Sequence, residues 1–65
     1  MTGAVSAFDE SRGLGEITGD DHVVYPFHCT QVADGTRTIA VDARVEFDVT
    51  AGPLGRWEAA SIRPA

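Results

Sequence analysis

Met1-Thr2-Gly3-Ala4-Val5-Ser6-Ala7-Phe8-Asp9, Glu10-Ser11-Arg12-Gly13 and Leu14-Gly15-Glu16-Ile17-Thr18 are consecutive pieces of one stretch, and their reading decides the fold. The first and third pieces mix valine, isoleucine and phenylalanine with small residues and show no apolar face at helical spacing. The middle piece is polar and ends on glycine, which reads as a tight turn. Strand one is expected over about Gly3–Asp9, with Val5 pointing one way and Ser6 and Phe8 the other. Strand two is expected over about Leu14–Thr18, with Ile17 in the core.

The same grammar continues outward. Gly19-Asp20-Asp21 forms the next turn. Strand three spans about Val23–Phe27, and Pro26 inside it lacks an amide donor, so this strand belongs at an edge or its bonding stops there. Cys29-Thr30-Gln31 reads as a brief helical turn. Residues Ala33–Asp42 form the longest connection, with Ile39 and Val41 pinning it to the core. Strand four, Ala43–Thr50, alternates: Val45, Phe47 and Val49 in, Arg44, Glu46 and Asp48 out. A loop at Ala51–Gly55 leads to strand five, Trp57–Ile62, and Arg63-Pro64-Ala65 reads as a frayed tail. Five short strands with tight turns imply a small all-β sandwich or barrel, a single domain over residues 1–65.

Size and charge narrow the function. A chain of 65 residues buries only ~60% of the surface it exposes when unfolded, so its stability is marginal. Too little chain remains for the closed pocket of a free-standing enzyme, and no cofactor is expected. One cysteine excludes an internal disulfide. No apolar run long enough to span a membrane exists, and the start lacks a charged head before an apolar stretch, so a reduced cytoplasmic location is expected. Five arginines and no lysine stand against ten acids, a net charge of −5. That sign opposes binding of phosphate through the global field.

Several residues resemble chemistry without carrying it. His22, His28 and Cys29 are three soft ligands where a structural zinc site needs four in matched spacings. His28 and Cys29 are adjacent on a strand, so they point to opposite faces and make a poor base and nucleophile. Asp20-Asp21 belongs to a turn. Gly13-Leu14-Gly15 lacks the following Lys-Ser/Thr and the strand-to-helix setting of a phosphate loop.

Met1–Asp9 is similar to the first strand of the bacterial cold-shock proteins, and Arg12-Gly13-Leu14-Gly15-Glu16-Ile17 resembles their first RNA-binding motif, Lys-Gly-Phe-Gly-Phe-Ile, at ungapped spacing. Phe27-His28-Cys29-Thr30 resembles the end of the second motif, Val-Phe-Val-His-Phe-Ser. Asp34-Gly35, Val45-Glu46-Phe47 and Ala59-Ala60-Ser61-Ile62 resemble later landmarks. The resemblance implies a five-stranded antiparallel OB-fold barrel, in agreement with the strand count. It also implies a site on the outer face of strands one to three, where aromatic rings stack on unpaired bases.

Most of those rings are replaced. The family tryptophan of strand one aligns with Ala7, the two motif phenylalanines with Leu14 and Glu16, and those of the second motif with Pro26 and Cys29. Thr36 stands where an aromatic often follows the loop glycine, and Ser6 replaces the strand-one lysine. Phe8, His28 and the leading cation Arg12 remain. Sliding strand three by one residue would instead put Tyr25 and Phe27 on the outer face. The unshifted register is preferred, because it matches Thr30 to the family serine and Val32 to its apolar anchor.

Losing four or five rings at ~1 kcal/mol each removes at least ~4–5 kcal/mol, about a thousandfold in affinity. The expected function is weakened or altered binding of single-stranded RNA or DNA by a monomer or weak homodimer. Phe8 would stack, His28 stack or hydrogen-bond, Arg12 contact phosphate, and Leu14 and Pro26 offer apolar surface. The alternative is a protein-interaction module whose former RNA face, Ala7, Leu14 and Pro26, is an apolar patch rimmed by acids. Trp57 beside Arg56 reads either as a contact residue or, preferably, as a cap on one end of the barrel.

Overall fold

The structure is a computed structural model that describes residues 1–32, 39–52 and 55–65. Five strands follow in chain order: β1 (Thr2–Asp9), β2 (Leu14–Gly19), β3 (Val24–His28), β4 (Arg44–Ala51) and β5 (Trp57–Pro64). Each expected strand is present, and Cys29–Gln31 forms a single 3-10 turn after β3. The tail is firmer than the sequence implies. Arg63 and Pro64 belong to β5, where Pro64 pairs with Val45 and the Arg63 guanidinium bonds Glu46.

All neighbouring strands are antiparallel in the order β3-β2-β1-β4-β5. Pro26 therefore sits on an edge strand, where its missing donor leaves no gap in an interior ladder. The sheet rolls until β3 packs against β5, and Val32 forms a parallel bridge to Ile62. The result is a small OB-like barrel. Its core is Val5, Ile17, Tyr25, Phe27, Val32, Val45, Phe47, Ala59 and Ile62. Tyr25 and Phe27 are both buried, and Gly15 pairs with Phe27 and Ile17 with Tyr25, so β3 adopts the unshifted register.

Two bulges break strict alternation. On β1 the pairing steps from Val5↔Ile17 to Ala7↔Glu16, so one extra residue is absorbed at Ser6-Ala7. Ser6 and Ala7 are both exposed, and Phe8 turns back toward the inside, half-buried against the core. This corrects the expectation that Phe8 shares Ser6's face. A second shift lies between Glu46 and Asp48 on β4 and takes up Ser61 on β5, which has φ +51.

Three apolar assignments also change. Val49 pairs with the buried Ala59 but is itself 37% exposed, so it lies at the margin of the core. Val41 is exposed, so Ile39 alone of that pair packs on the core. Trp57 is 64% exposed and stands in a shallow groove with Met1, Tyr25 and Val49, so it does not seal the barrel. Residues 33–38 and 53–54, with the Asp34-Gly35 landmark and Thr36, lie outside the described residues.

The Asp20-Asp21 turn is a structural device. Arg44 donates to both Asp20 carboxylate oxygens, at 3.0 and 2.9 Å, and Thr2 donates its hydroxyl to Asp20. Asp21 accepts the Val23 amide at 3.0 Å and the Tyr25 hydroxyl at 2.6 Å. The Arg44 bonds foremost hold the Asp20 carboxyl below the usual range, as the Tyr25 hydroxyl does for Asp21.

Candidate functional site

Pairing across β1, β2 and β3 sorts their side chains into rows, because directly opposed residues share a face. Ala7–Glu16–Pro26 and Asp9–Leu14–His28 are two outward rows. Between them runs Phe8–Gly15–Phe27, directed to the core. The rows enclose a shallow depression lined by Ala7, Phe8, Leu14, Glu16 and Pro26 among others. Leu14 is 44% exposed, and with Pro26 it gives the depression an apolar surface.

Gly15 is what allows Phe27 to reach under this surface. A Cβ at position 15 would sit 2.5 Å from Phe27 Cζ and 2.9 Å from the Ala7 carbonyl oxygen. Phe8 lies against the same ring, with centroids 6.0 Å apart and planes 8° apart. Phe8 is thus half packing residue and half floor of the depression.

The two remaining sequence candidates lie at its margin. Arg12 is exposed in the turn between β1 and β2, outside the depression. That turn is set by Asp9, whose carboxylate accepts the Ser11 hydroxyl at 2.8 Å and the Arg12 amide at 3.3 Å. The Ser11 bond foremost draws the Asp9 carboxyl below its ordinary range. His28 is the cross-strand partner of Leu14, and its Nδ1 accepts the Thr30 amide at 3.2 Å. His28 therefore caps the 3-10 turn as well as facing outward, a role its residue type alone does not signal. Gly13 adopts φ +66, and a Cβ there would meet Cys29 Sγ at 2.8 Å, so the turn locks against Cys29.

Electrostatics runs against phosphate on this face. Asp9 and Glu16 both project from it, and period-two alternation on β2 already places Glu16 beside Leu14. Arg44 and Arg63 are committed elsewhere, to Asp20 and to Glu46 and Asp48. Among the described residues no ion pair involves Arg12 or Arg56. No three His, Cys, Asp or Glu side chains among the described residues gather as metal ligands, and His28 Nδ1 stands 3.9 Å from Cys29 Sγ. No helix among them is long and apolar enough to cross a membrane.

Comparison with known proteins fits this geometry. The family model of the 'cold-shock' DNA-binding domain matches residues 1–65. The chain is 41% identical over 56 residues to a cold shock-like protein of Stigmatella aurantiaca, covering 83% of this chain and 82% of that protein. It is 38% identical over 63 residues to cold shock protein 1 of Arabidopsis thaliana, covering 94% of this chain and 21% of that protein.

Proposed function

The chain belongs to the cold-shock domain family, and from that premise we propose that it binds single-stranded nucleic acid on the outer face of β1–β3 with low affinity. The observation that supports this is the apolar depression between Leu14 and Pro26, in the place where the family displays its rings. Leu14 and Pro26 offer contact to a base face, the exposed part of Phe8 extends it, and Arg12 reaches phosphate from the adjoining turn. His28 hydrogen-bonds or stacks at the margin. No part of this needs a cofactor.

Two effects set the affinity. Aliphatic surface replaces rings worth ~1–3 kcal/mol each, and Asp9 and Glu16 repel phosphate. Anisotropy of a labelled mixed heptanucleotide at physiological salt tests the reading. A dissociation constant of micromolar order or weaker is expected, with Leu14 and His28 amide resonances shifting on addition. A submicromolar constant overturns the weakened affinity, and the absence of any shift at those residues overturns the site.

A protein partner is the second reading. Trp57 favours it, since a tryptophan 64% exposed beside Met1 and Val49 resembles an interface anchor. A mass that rises with protein concentration, or co-purification lost in Trp57→Ala, would support it.

A further inference from the structure

Glu16 is more than a repulsive charge. Its cross-strand neighbours on the outer face are Ala7 and Pro26, and neither offers a side-chain donor. Pro26 has no amide hydrogen either. The Ser6 hydroxyl donates at 3.2 Å to the Glu16 main-chain carbonyl, which leaves the carboxylate alone. No hydrogen bond or ion pair within the described residues involves that carboxylate. The other acid of the face, Asp9, accepts from Ser11 and Arg12 on its Oδ1, so it does not have both oxygens open. Among the described residues, the depression therefore presents an apolar plate with one carboxylate, both oxygens unengaged, at its edge.

Resting on the single-strand-binding reading above, we propose that Glu16 makes this face select the Watson–Crick edge of guanine. A base lying on Leu14 and Pro26 turns its edge toward the carboxylate. Guanine presents two adjacent donors, N1–H and N2–H, which match two carboxylate oxygens. Cytosine sets one N4–H donor beside the N3 lone pair. Adenine likewise pairs one donor with the N1 lone pair, and thymine flanks N3–H with two carbonyl oxygens, so all three meet the carboxylate with repulsion. The expected preference is for guanine over the other three bases. A stacking platform, by contrast, accepts every base, because every base has a π-face.

The test uses fluorescein-labelled heptathymidine with dG, inosine, dC, dA or dT at the central position, titrated by anisotropy at low salt. The wild-type chain should bind the dG oligomer about fivefold or more tightly than the all-dT one. Inosine, which lacks N2–H, should fall between them. Glu16→Gln should reduce the dG-to-dT ratio to below about twofold and strengthen binding of the dT oligomer, since it removes repulsion. Equal wild-type affinities for all five oligomers, or an unchanged preference in Glu16→Gln, overturns the guanine selection while leaving single-strand binding intact. No binding of any oligomer overturns both. Circular dichroism of Glu16→Gln confirms that the exposed substitution keeps the fold.

Discussion

Phe8 and Phe27 lie in parallel, 6.0 Å between ring centroids and 8° between planes, with Gly15 between them in the sheet. The pair joins the first and third strands across the second and places one ring in both the core and the candidate site. Removal of the Phe8 ring therefore acts on stability before it acts on binding. Phe8→Ala should destabilise the fold by about 2 kcal/mol, below the ~3–5 kcal/mol of a fully buried ring because Phe8 is half-exposed. Urea denaturation measures this. Phe8→Leu should recover most of the stability, so any oligonucleotide affinity it still lacks belongs to stacking.

Gly15→Ala should be more damaging than its size implies. Its Cβ would fall 2.5 Å from the Phe27 ring and 2.9 Å from a main-chain oxygen. Phe27 is buried among the core residues, so the ring can yield only toward the shallow depression it lines. A loss of about 2–3 kcal/mol is expected, read from the same denaturation curves. A near-neutral result would mean that the Phe27 ring shifts within the core at little cost, which altered cross-peaks between Phe8 and Phe27 in the NMR spectrum would reveal.

How much of this was legible follows from the sheet's own geometry. Short Val, Ile, Phe and Tyr runs between glycines gave the five strands, and Pro26 marked β3 as an edge strand or one whose bonding stops there, of which the first is found. The outward set Arg44, Glu46 and Asp48 followed from alternation alone. The bulge at Ser6-Ala7 was not legible, because an extra residue in a strand is registered only against its partner. That one residue moved Phe8 from the outer face to the boundary. Val49 and Trp57 escaped for a different reason. Alternation tells which face a residue takes and not where along the strand the core stops. Glu16 was legible as a face residue, but its lack of donors needed the pairing with Ala7 and Pro26.

Stability should depend on pH at both extremes. Asp9, Asp20 and Asp21 all have carboxyl groups drawn below their ordinary range, by Ser11, Arg44 and Tyr25 foremost. A lowered folded value means stabilisation that is complete above the unfolded value near ~3.9 and lost as pH falls through the lower folded one. Tyr25 shifts the other way, raised by its bond to Asp21, so its share is complete below ~10 and lost as pH rises further. The urea midpoint should therefore be flat between about pH 5 and 9 and fall on either side. Asp21→Asn should flatten the alkaline fall, and an unchanged alkaline limb would remove the Tyr25–Asp21 bond from the account.

Salt should matter little to oligonucleotide binding. Arg12, exposed in the turn that precedes Leu14, is the cation proposed for phosphate, and each phosphate contact to a single strand contributes a slope of about −0.7 in log affinity against log salt. A slope no steeper than about −1.5 is expected between 50 and 200 mM salt, flattening further in Arg12→Ala. A slope of −3 or steeper would require a cationic track that Asp9 and Glu16 make difficult to place on this face.

Restoring rings should restore affinity, because the barrel that carries them is intact. Leu14 and Glu16 occupy the two motif positions on β2, side by side on the outer face, and both point away from the core. Leu14→Phe with Glu16→Phe adds two stacking surfaces at ~1 kcal/mol or more each, about thirtyfold in affinity. The double variant also removes one like charge, so the gain at low salt should exceed the gain at high salt. It should lose the dG-over-dT preference at the same time, since stacking is indifferent to the base edge. Tighter binding with the preference intact would show that selection resides elsewhere on the face. No gain in affinity would show that the ligand does not lie across β2 at all.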